Sequence, residues 1–219
     1  TVQAGDGSLA ATTTYTYNVA GALKTVDGPV AGASVRNRYD TQRQLSGRVE
    51  IDPDGAGSGR PSVAKRYTYN SDGQVTAVDI GTVASQSDVD WVNFTVSQTL
   101  VVGYDSIGRK VSEKLVAASA VQALTQYSYD NANRLDCTAL RMNPAIFGSP
   151  PTAACTLGTT GSNGPDRITK TNYTVDDRVA SVTRALGTAS QFNDAVTPYT
   201  SNGLVETVAD GGSLAGGTG

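Results

Sequence analysis

Tyr104-Asp105-Ser106-Ile107-Gly108-Arg109-Lys110 and Tyr127-Ser128-Tyr129-Asp130-Asn131-Ala132-Asn133-Arg134-Leu135 decide how this chain folds. In each, an aromatic strand residue is followed at once by aspartate, whose side chain accepts a backbone hydrogen bond two residues on and so starts a turn. Four places after the tyrosine stands glycine or asparagine, residues that tolerate a left-handed backbone. That order describes a type I turn closed by a left-handed residue, a three-residue hairpin loop with a bulge. The same order recurs at the anchors Tyr17, Tyr39, Tyr69, Tyr104, Tyr129, Tyr173 and Tyr199. The residue after the anchor is always Asn, Asp or Thr: Asn18, Asp40, Asn70, Asp105, Asp130, Thr174, Thr200. The turn position holds Gly21, Gly73, Gly108, Asn133, Asp177 and Gly203, with Arg43 the one exception. The other tyrosines, Tyr15, Tyr67 and Tyr127, stand two places before an anchor, on the same strand face.

An apolar residue opens each return strand, at Leu23, Leu45, Val75, Leu135, Val179 and Val205, and is expected to face the core. Lys110 departs from this, and a one-residue shift would put Val111 in its place. The fold class that follows is all-β: about seven tandem hairpins stacked into one extended curved sheet. The anchor spacing varies from 22 residues (Tyr17 to Tyr39) to 44 (Tyr129 to Tyr173), so insertions belong in the connections between hairpins. The expected organisation is a lead-in strand over 1–14, the repeat array over 15–210, and a glycine-rich end over 211–219. A start at Thr1 with no signal-like segment, and the closing GGSLAGGTG, suggest a piece of a longer protein.

Composition points the same way. Apolar residues make up 38%, charged ones 17%, and glycine numbers 24, which disfavours both a helical bundle and a charge-rich disordered chain. With 17 basic against 20 acidic residues, well mixed, there is no basic field to gather nucleic acid. No apolar run is long enough for a membrane span. Histidine is absent, which removes the commonest general base, the commonest metal ligand and every Ser-His or Cys-His pair. No catalytic residue, metal ligand or cofactor is assigned.

Three connections carry features of their own. Gly47 to Ser62 is rich in Gly, Pro and Asp and reads as a loop. Its Glu50-Ile51-Asp52-Pro53-Asp54-Gly55 spaces oxygens like a calcium loop, but the twelfth place is Pro61 instead of glutamate, so a turn-rich surface loop is expected. In Ser85 to Gln98, Ser87 is a candidate N-cap with Asp88 and Asp90 in the first turn, which permits a short helix carrying Trp91; a strand fits its β-branched residues nearly as well. The third connection is the Pro-rich insertion Asn143 to Asp166, flanked by Cys137 and marked inside by Cys155. These cysteines suit a disulfide clamping the loop if the protein is exported, or two small buried thiols otherwise. The pair Asp176 and Asp177 reads as turn formers, since neighbouring residues do not aim two carboxylates at one point. The tyrosine row reads as cross-strand packing with wet hydroxyls, and alternatively as a sugar-stacking surface. Asn93-Phe94-Thr95 and Asn172-Tyr173-Thr174 fit the glycosylation acceptor, which matters only in a eukaryotic secretory route.

The units YDSIGRKV and YSYDNANRL resemble the YD repeat of bacterial Rhs proteins. Tyr104, Asp105, Gly108 and Arg109 match that pattern fully; Tyr129, Asp130, Arg134 and Leu135 match it with Asn133 in the glycine place. The other five units match in part, Arg178 being the one further arginine. The resemblance implies a sheet that spirals into a hollow shell, as in Rhs effectors, Tc toxin B and C subunits and teneurins, of which this chain would be a strip of wall. It implies a non-enzymatic structural segment of a large secreted or surface bacterial protein that encapsulates or scaffolds a partner or toxin domain. The alternative is an extracellular adhesin-like module that binds carbohydrate or another cell surface. Expected partners are neighbouring repeats of the same chain or copies of it, an enclosed toxin domain and, on the alternative reading, carbohydrate. Toxin-carrying relatives also have a self-cleaving aspartate region with a DPxGL-like signature; Asp52-Pro53-Asp54-Gly55-Ala56 is read here as loop, with no paired acid in sight.

Overall fold

The computed structural model describes residues 2–4, 11–30, 33–51 and 61–209. The glycine-rich end over 211–219, the Asp52 to Ala56 stretch and most of the calcium-like loop lie outside the described residues. The strands are β1 (Val2–Ala4), β2 (Ala11–Tyr17), β3 (Leu23–Asp27), β4 (Ser34–Tyr39), β5 (Leu45–Glu50), β6 (Ser62–Tyr69), β7 (Val75–Val83), β8 (Thr95–Tyr104), β9 (Lys110–Ala117), β10 (Ala120–Tyr129), β11 (Leu135–Arg141), β12 (Arg167–Tyr173), β13 (Val179–Arg184) and β14 (Phe192–Val196). A short α-helix, α1 (Asp88–Val92), lies between β7 and β8, and one turn of 3-10 helix, Pro144–Ile146, lies between β11 and β12. The fold is all-β and antiparallel, and among the described residues no helix is long and apolar enough to cross a membrane.

Contacts group the chain into two compact units: Thr1–Val101 with Val116–Ser119, and Val102–Leu115 with Ala120–Gly219. Within each, strands pair in the order in which they occur in the sequence. This meander is what three-residue hairpin loops produce, because each reversal lays a strand beside the one just made. The pairing register slips by one immediately before the anchors Tyr17, Tyr39, Tyr69, Tyr129 and Tyr173. That slip is the bulge that accompanies a left-handed residue at the end of the turn.

The bulk of the packing lies on the face away from the tyrosines. In the first unit Arg36 pairs with Val49, Arg38 with Gly47, Gly47 with Arg66, and Val49 with Ala64, which puts all of them on one face. Val49, Ala64 and Val83 are buried there beneath Trp91 and Phe94 of the connection between β7 and β8. In the second unit Leu124 pairs with Arg141, Ser128 with Cys137, and Ala139 with Ile168. Cys137, Ala139 and Ile168 are buried beneath Ala154 of the insertion between β11 and β12.

Three expectations need correction. The apolar residues that open the return strands do not form the core: Leu23, Leu45 and Val75 are half-buried, and Leu135, Val179 and Val205 are exposed. They stand across from the anchors, as Leu45 does from Tyr39, whereas burial is supplied on the other face by the inserted connections. The loop read over Gly47 to Ser62 is too long at both ends, since Gly47 to Glu50 continue β5 and Ser62 begins β6. Their backbone groups are needed in the ladder that carries the first core. Finally, Lys110 keeps its own place, with no shift to Val111: Asp105 N–H donates to Arg109 C=O and Gly108 N–H to Asp105 C=O, the bonds of every other copy.

Candidate functional site: the joint between repeats

The turns are built alike. In all seven copies the N–H five places after the anchor donates to the side chain just after the anchor, at 2.8–3.2 Å: Ala22 to Asn18, Gln44 to Asp40, Gln74 to Asn70, Arg109 to Asp105, Arg134 to Asp130, Arg178 to Thr174 and Leu204 to Thr200. Gly21, Gly73, Gly108 and Gly203 have φ of 74–83°, Asn133 has 63° and Asp177 62°. Arg43, with the least suitable side chain, takes φ 66° all the same. Its neighbours hold the turn closed through Asp40, so the arginine bears the cost of a left-handed backbone.

Five of the anchor hydroxyls bond to the backbone. Tyr39 donates to the Leu23 carbonyl (2.9 Å), Tyr69 to Leu45 (2.8 Å), Tyr129 to Lys110 (2.9 Å), Tyr173 to Leu135 (2.9 Å) and Tyr199 to Val179 (3.0 Å). In every case the acceptor is the first residue of the preceding hairpin's return strand. Each of these five anchors therefore ties its hairpin to the one before, and for them the expectation of wet hydroxyls is replaced by a specific inter-repeat bond.

The arginine of the motif has a role that the sequence alone left without a physical account. Arg109 pairs with its own Asp105 (Nε to Oδ2, 2.7 Å), lies 4.6 Å over the ring of Tyr129, and donates to Asn133 Oδ1 at 2.6 Å. Arg134 pairs with Asp130, lies 4.6 Å over Tyr173, and donates to Asp177 Oδ1 at 2.6 Å. Arg178 lies 5.2 Å over Tyr199 and donates to the Gly203 carbonyl. The guanidinium is thus a clamp: one edge on its own turn, its face on the next tyrosine, its other edge on the next turn. Gln44 reaches the same way, its Nε2 lying 2.9 Å from where a Cβ on Gly73 would stand. The signal was present in the sequence, because aspartate after the anchor and arginine five places on occur together at Asp105 and Arg109 and at Asp130 and Arg134.

These bonds set the charges. Asp105 is held below the ordinary carboxylate range by the Arg109 N–H, helped by the Arg109 guanidinium and the Ile107 N–H. Asp130 is lowered in the same way by the Arg134 N–H, the guanidinium and the Ala132 N–H. Arg134 is raised by its bond to Asp130, with Asp177 adding to it.

Each unit also fastens one inserted connection onto its sheet with arginine. In the first, Ser87 caps α1 by accepting from Asp90 N–H, and Arg36 and Arg38 reach the Gln86 carbonyl at 2.8 Å and the Asp88 carboxylate at 2.7 and 3.0 Å. The helix brings Trp91 down over Gly47, where a Cβ would run into the indole. Arg38 then lies 4.6 Å over Trp91, and Arg66 4.6 Å over Phe94. In the second unit the Arg141 side chain is fully buried, bonded to Asp166 at 2.7 Å, to Gln126 Oε1 at 2.6 Å, and to the carbonyls of Thr156 and Ala153. Burial would raise Asp166, but bonds from Met142 N–H, Arg141 and Gly158 N–H outweigh it and leave the carboxyl low.

Cys137 and Cys155 are joined as a disulfide, with Cα atoms 5.3 Å apart, which pins the insertion to β11. Asp136 stands beside them, completing a cluster of metal-ligating residue types. Both sulfurs are bonded to each other, so the cluster offers no thiolate. Asp176 and Asp177 occupy a turn, and Asp177 serves as the acceptor for Arg134.

No protein-family model matches the sequence, and no curated protein matches it. Among solved structures, the TcdB2-TccC3 crystal structure without its hypervariable C-terminal region is similar at 16% identity over 90% of this chain, with a TM-score of 0.47. The Photorhabdus luminescens Tc holotoxin pore with a substituted TccC3 is similar at 15% identity over 90% of the chain, with a TM-score of 0.42. The chain spans about a tenth of the length of those proteins.

Proposed function

We propose that this chain is a non-enzymatic structural segment: a stretch of β-sheet wall in a large secreted or surface-associated bacterial protein of Rhs type, which encloses or scaffolds a partner or toxin domain. The observation that carries the reading is the recurrence of one joint. Five anchors donate to the carbonyl at the same place of the preceding hairpin, so the repeats are bonded serially and add like courses in a wall. The chemistry of the site residues serves this end: tyrosine, aspartate and arginine meet each other across repeats. The resemblance of the units at Tyr104 and Tyr129 to YD repeats supports the family.

Electron cryomicroscopy of the protein expressed from its native reading frame tests the proposal. The expected image is a hollow particle with these hairpins in its wall and density for an enclosed domain. A solid globular particle, or hairpins projecting as a free stalk, would refute it and favour the adhesin-like alternative.

A further inference from the structure

We infer that Cys155 is a thiol-exchange site: a small carboxylate-bearing thiol of glutathione type enters the groove beside it, attacks its sulfur and leaves Cys137 as the free thiol. The two halves of the disulfide are not equivalent. Cys137 is fully buried among Ala139, Ala154 and Ile168, so no reagent reaches its sulfur while the unit is folded. Cys155 is only half-buried, and it lines a groove of about 680 Å³ between the sheet and the inserted connection. That volume lies in the range of small-ligand sites. Ser112, Lys114 and Gln126 line the groove from the strands, Thr152 and Cys155 from the insertion.

Two charges set which thiol is taken and how fast. Asp136 Oδ2 lies 3.1 Å from Cys155 Sγ, and a disulfide sulfur has no proton to share with it. The carboxylate therefore stands beside the point of attack and repels every incoming thiolate. Lys114 lines the same groove and enters no ion pair among the described residues of its unit. Its ammonium is the complement for a carboxylate carried by the thiol.

In the exchange the thiolate forms an S–S bond to Cys155 and the bond to Cys137 breaks. The electron pair goes to the Cys137 sulfur, which takes a proton from solvent, and the thiol is the only reductant required. Cys137 departs into apolar surroundings that solvate a thiolate poorly. The insertion stays seated meanwhile. Arg141 holds the Ala153 and Thr156 carbonyls on either side of Cys155, and Ala154 N–H donates to Ser128 Oγ. Cys137 thus remains next to the mixed disulfide and expels the thiol again once free thiol is withdrawn.

Incubation of the folded protein with reduced glutathione, then maleimide quenching and tryptic mass mapping, reads the site. Trypsin separates the two cysteines, because Arg134, Arg141 and Arg167 bound their peptides. Glutathione is expected on the Cys155 peptide and maleimide on the Cys137 peptide. Cys137→Ser removes the group that expels the thiol, and decides the matter where no adduct accumulates on the parent. It should take up glutathione from oxidised glutathione at least about a hundredfold faster than Cys155→Ser does. Asp136→Asn should speed exchange about tenfold, with glutathione and with uncharged mercaptoethanol alike. Lys114→Gln should slow glutathione about threefold and leave mercaptoethanol unchanged. Circular dichroism of each variant checks that it is folded. Glutathione on Cys137, equal uptake by the two serine variants, or rates indifferent to Asp136→Asn overturn the inference. Lys114→Gln acting on both thiols equally, or on neither, overturns the choice of a carboxylate-bearing thiol.

Discussion

Arg43 and Asn133 occupy the same turn position and differ in what their side chains do. Both have left-handed φ, at 66° and 63°. The Arg43 side chain is exposed and forms no hydrogen bond among the described residues, whereas Asn133 accepts from Arg109 at 2.6 Å. Arg43→Gly should therefore stabilise the protein by about 1 kcal/mol, the usual relief when a left-handed non-glycine residue is replaced. Asn133→Gly should bring no gain, because it breaks the clamp. Urea denaturation of the two variants beside the parent decides this, and equal gains from both would contradict the role given to Asn133. The turns were legible in the sequence because they depend on residue types a few places apart. The hydroxyl bonds were not, since each acceptor is a backbone carbonyl 16 to 38 residues earlier, and no side-chain identity marks it.

At the scale of elements, the two inserted connections decide where the core lies. Trp91 rests on Gly47, and Gly47→Ala puts a methyl group into the indole. We expect a red shift of the tryptophan emission and a loss of about 1–3 kcal/mol, the ordinary cost of overpacking. Unchanged emission would mean that α1 does not seat on β5. In the second unit, Arg141→Met leaves Asp166 buried without its partner and should cost about 3–5 kcal/mol in urea unfolding followed by circular dichroism. Its native tryptophan emission should match the parent, because Trp91 belongs to the other unit. The sequence signalled α1 through Ser87, Asp88 and Asp90, which are local cues. It could not signal that Arg141 would be enclosed, for its partners Asp166, Thr156 and Ala153 are assembled by the path of a long insertion.

For the molecule as a whole, the aspartate and arginine clamps make stability depend on acidity. Asp105 and Asp130 titrate below their unfolded values, so each contributes stability that is present above the ordinary aspartate pKa and is lost as pH falls through the lower folded value. The denaturation midpoint should hold near neutrality and drop below about pH 4. The drop should shrink in Asp105→Asn with Asp130→Asn, and an acid profile identical to the parent's would remove these groups from the account. The amino-acid sequence by itself determined the repeating unit: where each strand ends, which residue turns the chain, and that the result is all-β, because hairpin loops are governed by interactions within a few residues. Only the tertiary structure decided which face is buried, what the tyrosine hydroxyls bind and what arginine is for. Those outcomes depend on which strands and insertions become neighbours, and period-two alternation is the same whichever face is covered.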